Sequence, residues 1–266
     1  MGIMNSRLGR FCAAFVVAGS IGLSATPAKA DYIQLGFILD SSGSIGSSNW
    51  DTIKAGLASA LNTWIPVGGA DTYEISVVKF SSTASTVVAA QTINTAADLQ
   101  SVVNAVNQMT FMGSQTNYTA AFTAMDNALR SSSVFASVDA TYVNFATDGY
   151  PVPSTDNGLT KRNSMIQSTS GGYVDNISIE AIGSSLDANF LKTSICYPTP
   201  CTTAPGSVSF PNQGFYYKLD NAQDYVAAIE HKIRVVTGQA PEPEMLSLLG
   251  LGLLGMIPVL RRRKSR

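Results

Sequence analysis

The sequence predicts a doubly wound α/β domain: a mostly parallel central sheet, one antiparallel edge strand, and helices on both faces. Three observations predict it. β-rich apolar runs alternate along the chain with segments whose apolar residues recur every three or four positions, the pattern of strand–helix–strand units. The first run, YIQLGFIL (32–39), is almost continuously apolar, as a strand covered on both faces requires. Two runs, YEISVVKF (73–80) and STVVAAQTI (85–93), are separated only by a short polar turn. They read as a hairpin, which supplies the antiparallel strand.

The remaining elements follow in order. After the first strand, Trp50, Ile53, Leu57, Leu61 and Trp64 share one helical face over residues 49–64. Beyond the hairpin, Thr95 and Asp98 have the spacing of a capping box, with Asp in place of Glu or Gln. Leu99, Val102, Val103, Val106 and Met109 then form a second helical face. GSQTN (113–117) is a polar break before a third helix, which starts near Thr119 and carries Tyr118, Phe122, Met125 and Leu129 on one side. TYVNFAT (141–147) is a strand running into DGYPVP, a weaker helix covers about 158–170, and NISIEAI (176–182) is the next strand. Residues 184–213 are rich in Ser, Pro and Thr and read as a long surface loop. FYYKL (215–219) is the last strand, and Asp220 or Asn221 caps a final helix with Tyr225, Ile229, Ile233 and Val236 facing inward.

These elements fill one domain, residues 31–238, between two end segments. Residues 1–30 have the form of an export signal: Arg7 and Arg10, a short apolar stretch, then AKA at 28–30, with cleavage expected after Ala30. Between residues 31 and 240 the chain carries nine basic and sixteen acidic residues, a net charge of −7. That balance argues against a nucleic-acid partner and suits cations or basic partners. Export places Cys196 and Cys201, in CYPTPC, in an oxidising compartment, where a pair this close is expected to form a disulfide that ties the 184–213 loop. Zinc would need further Cys or His ligands, and His231 is the one histidine.

The C-terminal segment, 239–266, has three parts: Pro241-Glu242-Pro243, an apolar run over 245–260, and a basic cluster beginning Arg261-Arg262-Arg263. The run is about one short membrane span, and the basic cluster would stay on the cytoplasmic side. This order resembles the PEP-CTERM sorting signal of Gram-negative bacteria. The resemblance implies export machinery, a transient inner-membrane tail, an exosortase-type membrane protease that processes it, and delivery to the outer surface or extracellular matrix.

In a doubly wound sheet, ligands sit beyond the carboxyl ends of the strands. Three polar clusters lie there or at helix starts: Asp40-x-Ser42-x-Ser44 after the first strand, Thr116 before the third helix, and Asp148 after VNFAT. Two carboxylates and three hydroxyls are hard oxygen donors, suited to Mg²⁺ foremost and also to Mn²⁺ or Ca²⁺. So little protein charge around a divalent ion would leave it seeking a further anionic ligand.

Asp40-Ser41-Ser42-Gly43-Ser44, GSQTNYTAAF and FATDGYP together resemble the von Willebrand factor type A (VWA) domain, over roughly residues 32–236. The resemblance implies a Rossmann-like fold and a metal-ion-dependent adhesion site (MIDAS) at Asp40, Ser42, Ser44, Thr116 and Asp148. It implies an open coordination position that takes an acidic side chain from a protein or matrix ligand. The family often has two glycines before the threonine, where this chain has Gly113-Ser114-Gln115.

Other readings fit less well. A serine hydrolase would need a base and a nucleophile elbow, and no Gly-x-Ser-x-Gly occurs. SSGSIGSS lacks the lysine of a phosphate loop. Metal-assisted hydrolysis lacks a positioned base, so no enzymatic activity is expected. His231 is expected to be a partly exposed helix residue, and Asp71, Asp126, Asp139 and Asp156 to be solvated acids. Tyr150 either lines the metal face or packs in its loop. Two functions remain: a metal-dependent adhesion module at the surface or in the matrix, and a structural matrix component that uses the metal for stability alone.

Overall fold

β1 (Tyr32–Asp40) is buried along almost its whole length, and its side chains alternate between two cores. The computed structural model describes residues 30–167, 173–184, 186–199, 201–204 and 209–239. The expected export signal and the residues Pro241, Glu242, Pro243, Arg261, Arg262 and Arg263 lie outside the described residues. β1 is followed by α1 (Ser47–Trp64), β2 (Thr72–Phe80), β3 (Ala84–Ile93), α2 (Ala96–Asn107) and α3 (Tyr118–Arg130). Then come β4 (Ala140–Thr147), α4 (Leu159–Ile166), β5 (Asn176–Ile182), the single turn α5 (Ala188–Phe190), β6 (Thr202–Ala204), β7 (Phe215–Leu219) and α6 (Ala222–Val236).

The sheet runs β3-β2-β1-β4-β5-β7-β6. β1 is parallel to both β2 and β4, and only β3, at one edge, is antiparallel to its neighbour. Strand order reverses at β1, so the chain leaves β1 and β4 in opposite directions. The crevice between their carboxyl ends is the topological switch point.

Alternation explains why both faces are covered. Leu35, Phe37 and Leu39 of β1 meet α1, α2 and α6 in one core, with Trp50, Leu57, Val102, Tyr225 and Ile229. Ile38 points the other way, into a core with Phe80, Phe122, Met125, Phe145 and Ile179, beneath α3 and α4. There Phe145 stacks on Phe80 and Phe122 and meets the edge of Tyr118 at a centroid distance of 4.9 Å. Gly36 lets α3 approach: a Cβ there would lie 2.7 Å from Met125 Sδ.

Helix starts follow local hydrogen bonding. Thr95 and Asp98 form a reciprocal capping box on α2, and Asn221, rather than Asp220, caps α6. Asn117 caps α3, while Thr119 accepts a hydrogen bond from Gly158 N at 3.2 Å and ties α3 to α4.

The 184–213 segment departs from the surface loop expected of it. It holds α5, a π turn over Leu191–Ile195, and β6, which pairs parallel with β7. Cys196 and Cys201 are joined by a disulfide and are both buried, with Leu191 and Ile195 beside them in the second core. Ser, Pro and Thr dominate the composition, but these four apolar side chains recover enough buried area to draw the segment inward. The guanidinium of Arg162 donates to the carbonyls of Ile195 and Cys196, anchoring the segment to α4. Asp126 also differs from expectation: it is buried and ion-paired with Arg130 at 2.7 Å and Lys161 at 2.9 Å. Among the described residues no helix is long and apolar enough to cross a membrane.

Candidate metal centre

β1 delivers Asp40 to the switch point, and the chain then turns under close backbone control. Ser41 N donates to Phe80 O at 2.7 Å, Gly113 N to Ser41 O at 2.9 Å, and Gly43 N to Ser114 O at 2.7 Å. Met112 N also donates to Ser41 Oγ at 2.9 Å. These bonds fasten the 41–43 turn to the 112–114 segment, so Thr116 arrives beside it despite the distance in sequence. β4, hydrogen-bonded to β1, brings Asp148 to the same end of the sheet.

The five oxygen-bearing side chains come together. Ser42 Oγ and Ser44 Oγ are 3.1 Å apart, and Ser44 Oγ donates to Asp148 Oδ1 at 2.7 Å. A Cβ on Gly149 would lie 3.4 Å from Ser44 Oγ and 3.6 Å from Thr116 Oγ1, so both hydroxyls face the same small space beside Asp148. Beneath them Asp40 is 1% exposed: its Oδ1 accepts from Ser42 N at 2.8 Å and its Oδ2 from Thr147 Oγ1 at 2.6 Å. Asp40, Ser42 and Thr116 are buried, while Ser44 is open to solvent.

Electrostatics favour a cation here. Burial pushes the Asp40 carboxyl up to about 6, against its hydrogen bonds to Ser42 and Thr147, and the Asp148 charge adds to the rise. Burial also raises Asp148, with the Ser44 hydrogen bond opposing it. No Lys or Arg among the described residues pairs with either carboxylate. Nor do three His, Cys, Asp or Glu side chains converge among the described residues, so hydroxyls must complete any shell here. Two carboxylates with three hydroxyls and no counter-charge fit a hard divalent cation.

Sequence reasoning missed the supporting residues. Thr147 and Tyr118 read as strand and core, yet both hydroxyls bond within the site: Tyr118 OH donates to Gly149 O at 2.6 Å. Tyr150 is 53% exposed and Val152 44%, so Tyr150 does not pack in its loop. His231 bonds through Nδ1 to Tyr217 OH and lies edge-on to Phe215.

Comparison with known proteins agrees with the fold. The family model described as von Willebrand factor type A domain matches residues 34–170, and the PEP-CTERM protein-sorting motif matches residues 239–264. No curated protein matches the chain. Among solved structures, it is similar to proximal thread matrix protein 1 from the mussel byssus with a zinc-occupied MIDAS motif: TM-score 0.56, 15% identity, 78% of this chain and 46% of that one. It is similar to a von Willebrand factor type A structure from Catenulispora acidiphila, at TM-score 0.52 and 14% identity over 78% of this chain and 42% of that one. The pilus adhesin SpaC of Lactobacillus rhamnosus GG, in its open conformation, aligns at TM-score 0.54 and 13% identity over 80% of this chain and 30% of that one. The chain thus spans less than half the length of each of these proteins.

Proposed function

The chain belongs to the von Willebrand factor type A family and carries a PEP-CTERM sorting motif, and on that premise we propose that its domain is a metal-dependent adhesion module. Asp40, Ser42, Ser44, Thr116 and Asp148 would hold a divalent cation, Mg²⁺ foremost. The cation would supply a Lewis-acidic centre that takes an acidic side chain from a protein or matrix ligand. The observation that carries this reading is the convergence, from three chain segments, of three hydroxyls and two carboxylates that have no Lys or Arg partner among the described residues. The zinc-occupied motif belongs to the mussel protein, and it supports a divalent ion at such a site without naming the ion here.

PEP-CTERM motifs mark exported surface or extracellular proteins with a C-terminal membrane-anchor segment. We propose that this chain is a substrate of an exosortase-type protease in a Gram-negative bacterium and reaches the outer surface or matrix. The similar solved structures, a matrix protein and a pilus adhesin, support a binding role in such a setting rather than an enzymatic one.

A second reading, a structural matrix component, is favoured by the same uncompensated carboxylates, because a cation there would stabilise the fold whether or not a ligand binds. The two readings separate in one experiment. Binding of the protein to cells or native matrix is measured with Mg²⁺, with EDTA, and for Asp148→Ala. The adhesion reading expects binding to be lost with EDTA and in the variant while circular dichroism stays folded. Adhesion unchanged by EDTA, with only a lower melting temperature, would overturn it in favour of the structural reading.

A further inference from the structure

We infer that Thr147 and Tyr118 are positioning residues of the metal centre, which together lock its three ligand-bearing segments into one register. The inference rests on the metal-site reading above and adds residues that are not themselves proposed ligands. Thr147 is 0% exposed and Tyr118 is 1% exposed. At such burial, valine and phenylalanine would fill the same space without the desolvation of a hydroxyl. Both hydroxyls are therefore informative, and both bond to the segments that bring in the ligands.

Thr147 Oγ1 donates its single proton to Asp40 Oδ2 at 2.6 Å and accepts from Gly149 N at 3.5 Å. One atom thus connects the end of β1 to the backbone just past Asp148. Tyr118 OH donates its proton to Gly149 O at 2.6 Å. With both protons so placed, the 3.3 Å approach of Tyr118 OH to Thr147 Oγ1 is a packing contact and not a hydrogen bond, and the two side chains act together through Gly149. Tyr118 opens α3, two residues after Thr116, so its bond to Gly149 joins the Thr116 segment to the Asp148 segment. Ser42 N occupies the other oxygen of Asp40. The carboxylate is therefore gripped from both sides and cannot rotate without breaking a charge-assisted bond.

Partners that orient a ligating carboxylate typically change metal affinity by about 10- to 100-fold when removed. The test uses the full-length protein and Mn²⁺ alone, titrated calorimetrically, with Mn²⁺ electron paramagnetic resonance on each complex and a melting curve in EDTA. Thr147→Val keeps the shape and removes the hydroxyl, and Thr147→Ser keeps the hydroxyl. The expected result is a loss of about 10- to 100-fold for Thr147→Val with an altered resonance spectrum, and near wild-type affinity for Thr147→Ser. Tyr118→Phe is expected to lose affinity in the same direction, and it carries the test if Thr147→Val does not fold. Wild-type affinity in Thr147→Val, or in Tyr118→Phe where that variant stands in, overturns the inference. So does a Thr147→Ser variant as weak as Thr147→Val. A wild-type protein that binds no Mn²⁺ overturns the metal reading itself, a different failure from variants that match a binding wild type.

Discussion

Without its cation, the domain should become more stable when Asp40 is changed to Asn. Asp40 is 1% exposed and its carboxyl rises from an ordinary 3.8 to about 6, chiefly through burial. A carboxyl whose folded value lies above its unfolded value resists ionisation in the fold. The penalty is absent below pH 3.8, grows as pH rises toward 6, and is complete above it. At about 1.4 kcal/mol per pH unit, the rise corresponds to a penalty of about 3 kcal/mol at pH 7.5 and under about 1 kcal/mol at pH 4. The amide introduced by Asp40→Asn would keep an acceptor oxygen for Ser42 N, and the Thr147 hydroxyl can turn to accept from the new NH₂ group. Allowing about 1 kcal/mol for that rearranged bond, the net gain is about 2 kcal/mol at pH 7.5, or about 4–8 °C in melting temperature for a domain of this size.

The assay is thermal unfolding of both proteins in EDTA and in excess Mg²⁺, at pH 4 and pH 7.5. In EDTA, Asp40→Asn should melt higher at pH 7.5, with the advantage shrinking toward pH 4. Mg²⁺ should raise the wild type and leave the variant unmoved, reversing their order if the site saturates. An Asp40→Asn variant that melts below the wild type in EDTA at pH 7.5 would refute the reasoning. An advantage of equal size at both pH values would refute it too, because ionisation would then not be the cause.

Two further outcomes follow from the same structure. Gly149→Val would place a branched side chain at contact distance from the Ser44 and Thr116 hydroxyls. Mn²⁺ titration should show at least a roughly tenfold loss of affinity, and an unchanged affinity would place the cation elsewhere. Away from the metal centre, Lys232 Nζ of α6 lies 3.7 Å from Glu180 Oε1 and donates to Asn144 Oδ1 at 2.6 Å, all of them buried. Burial pushes Glu180 up and Lys232 down, their attraction opposing it only in part. Lys232→Met should therefore cost about 3–5 kcal/mol in chemical denaturation, and the double change with Glu180→Gln should recover much of it.

Much of the fold was legible because burial and period leave a direct trace in residue order. YIQLGFIL has the pattern of a strand covered on both sides, and the spacing from Trp50 to Trp64 that of a helix with one apolar face. The 184–213 segment was not legible in this way. Its inward turn depends on Leu191, Ile195 and the cysteine pair finding a core built by distant β5 and α3 residues. Asp126 was misread for the same reason: its partner Lys161 comes from another helix.

At the site, the residue order alone proposed five oxygen-bearing side chains, because such side chains are few in kind and the strand ends where they fall are predictable. It could not show that Asp40 lies buried with a raised carboxyl, that Gly149 opens the space between Ser44 and Thr116, or that Thr147 and Tyr118 hold the segments together. A hydroxyl in a strand or helix looks the same in sequence whether it meets solvent, core or carboxylate. Only the pairing of β1 with β4, and of the 41–43 turn with the 112–114 segment, decides which of these it meets.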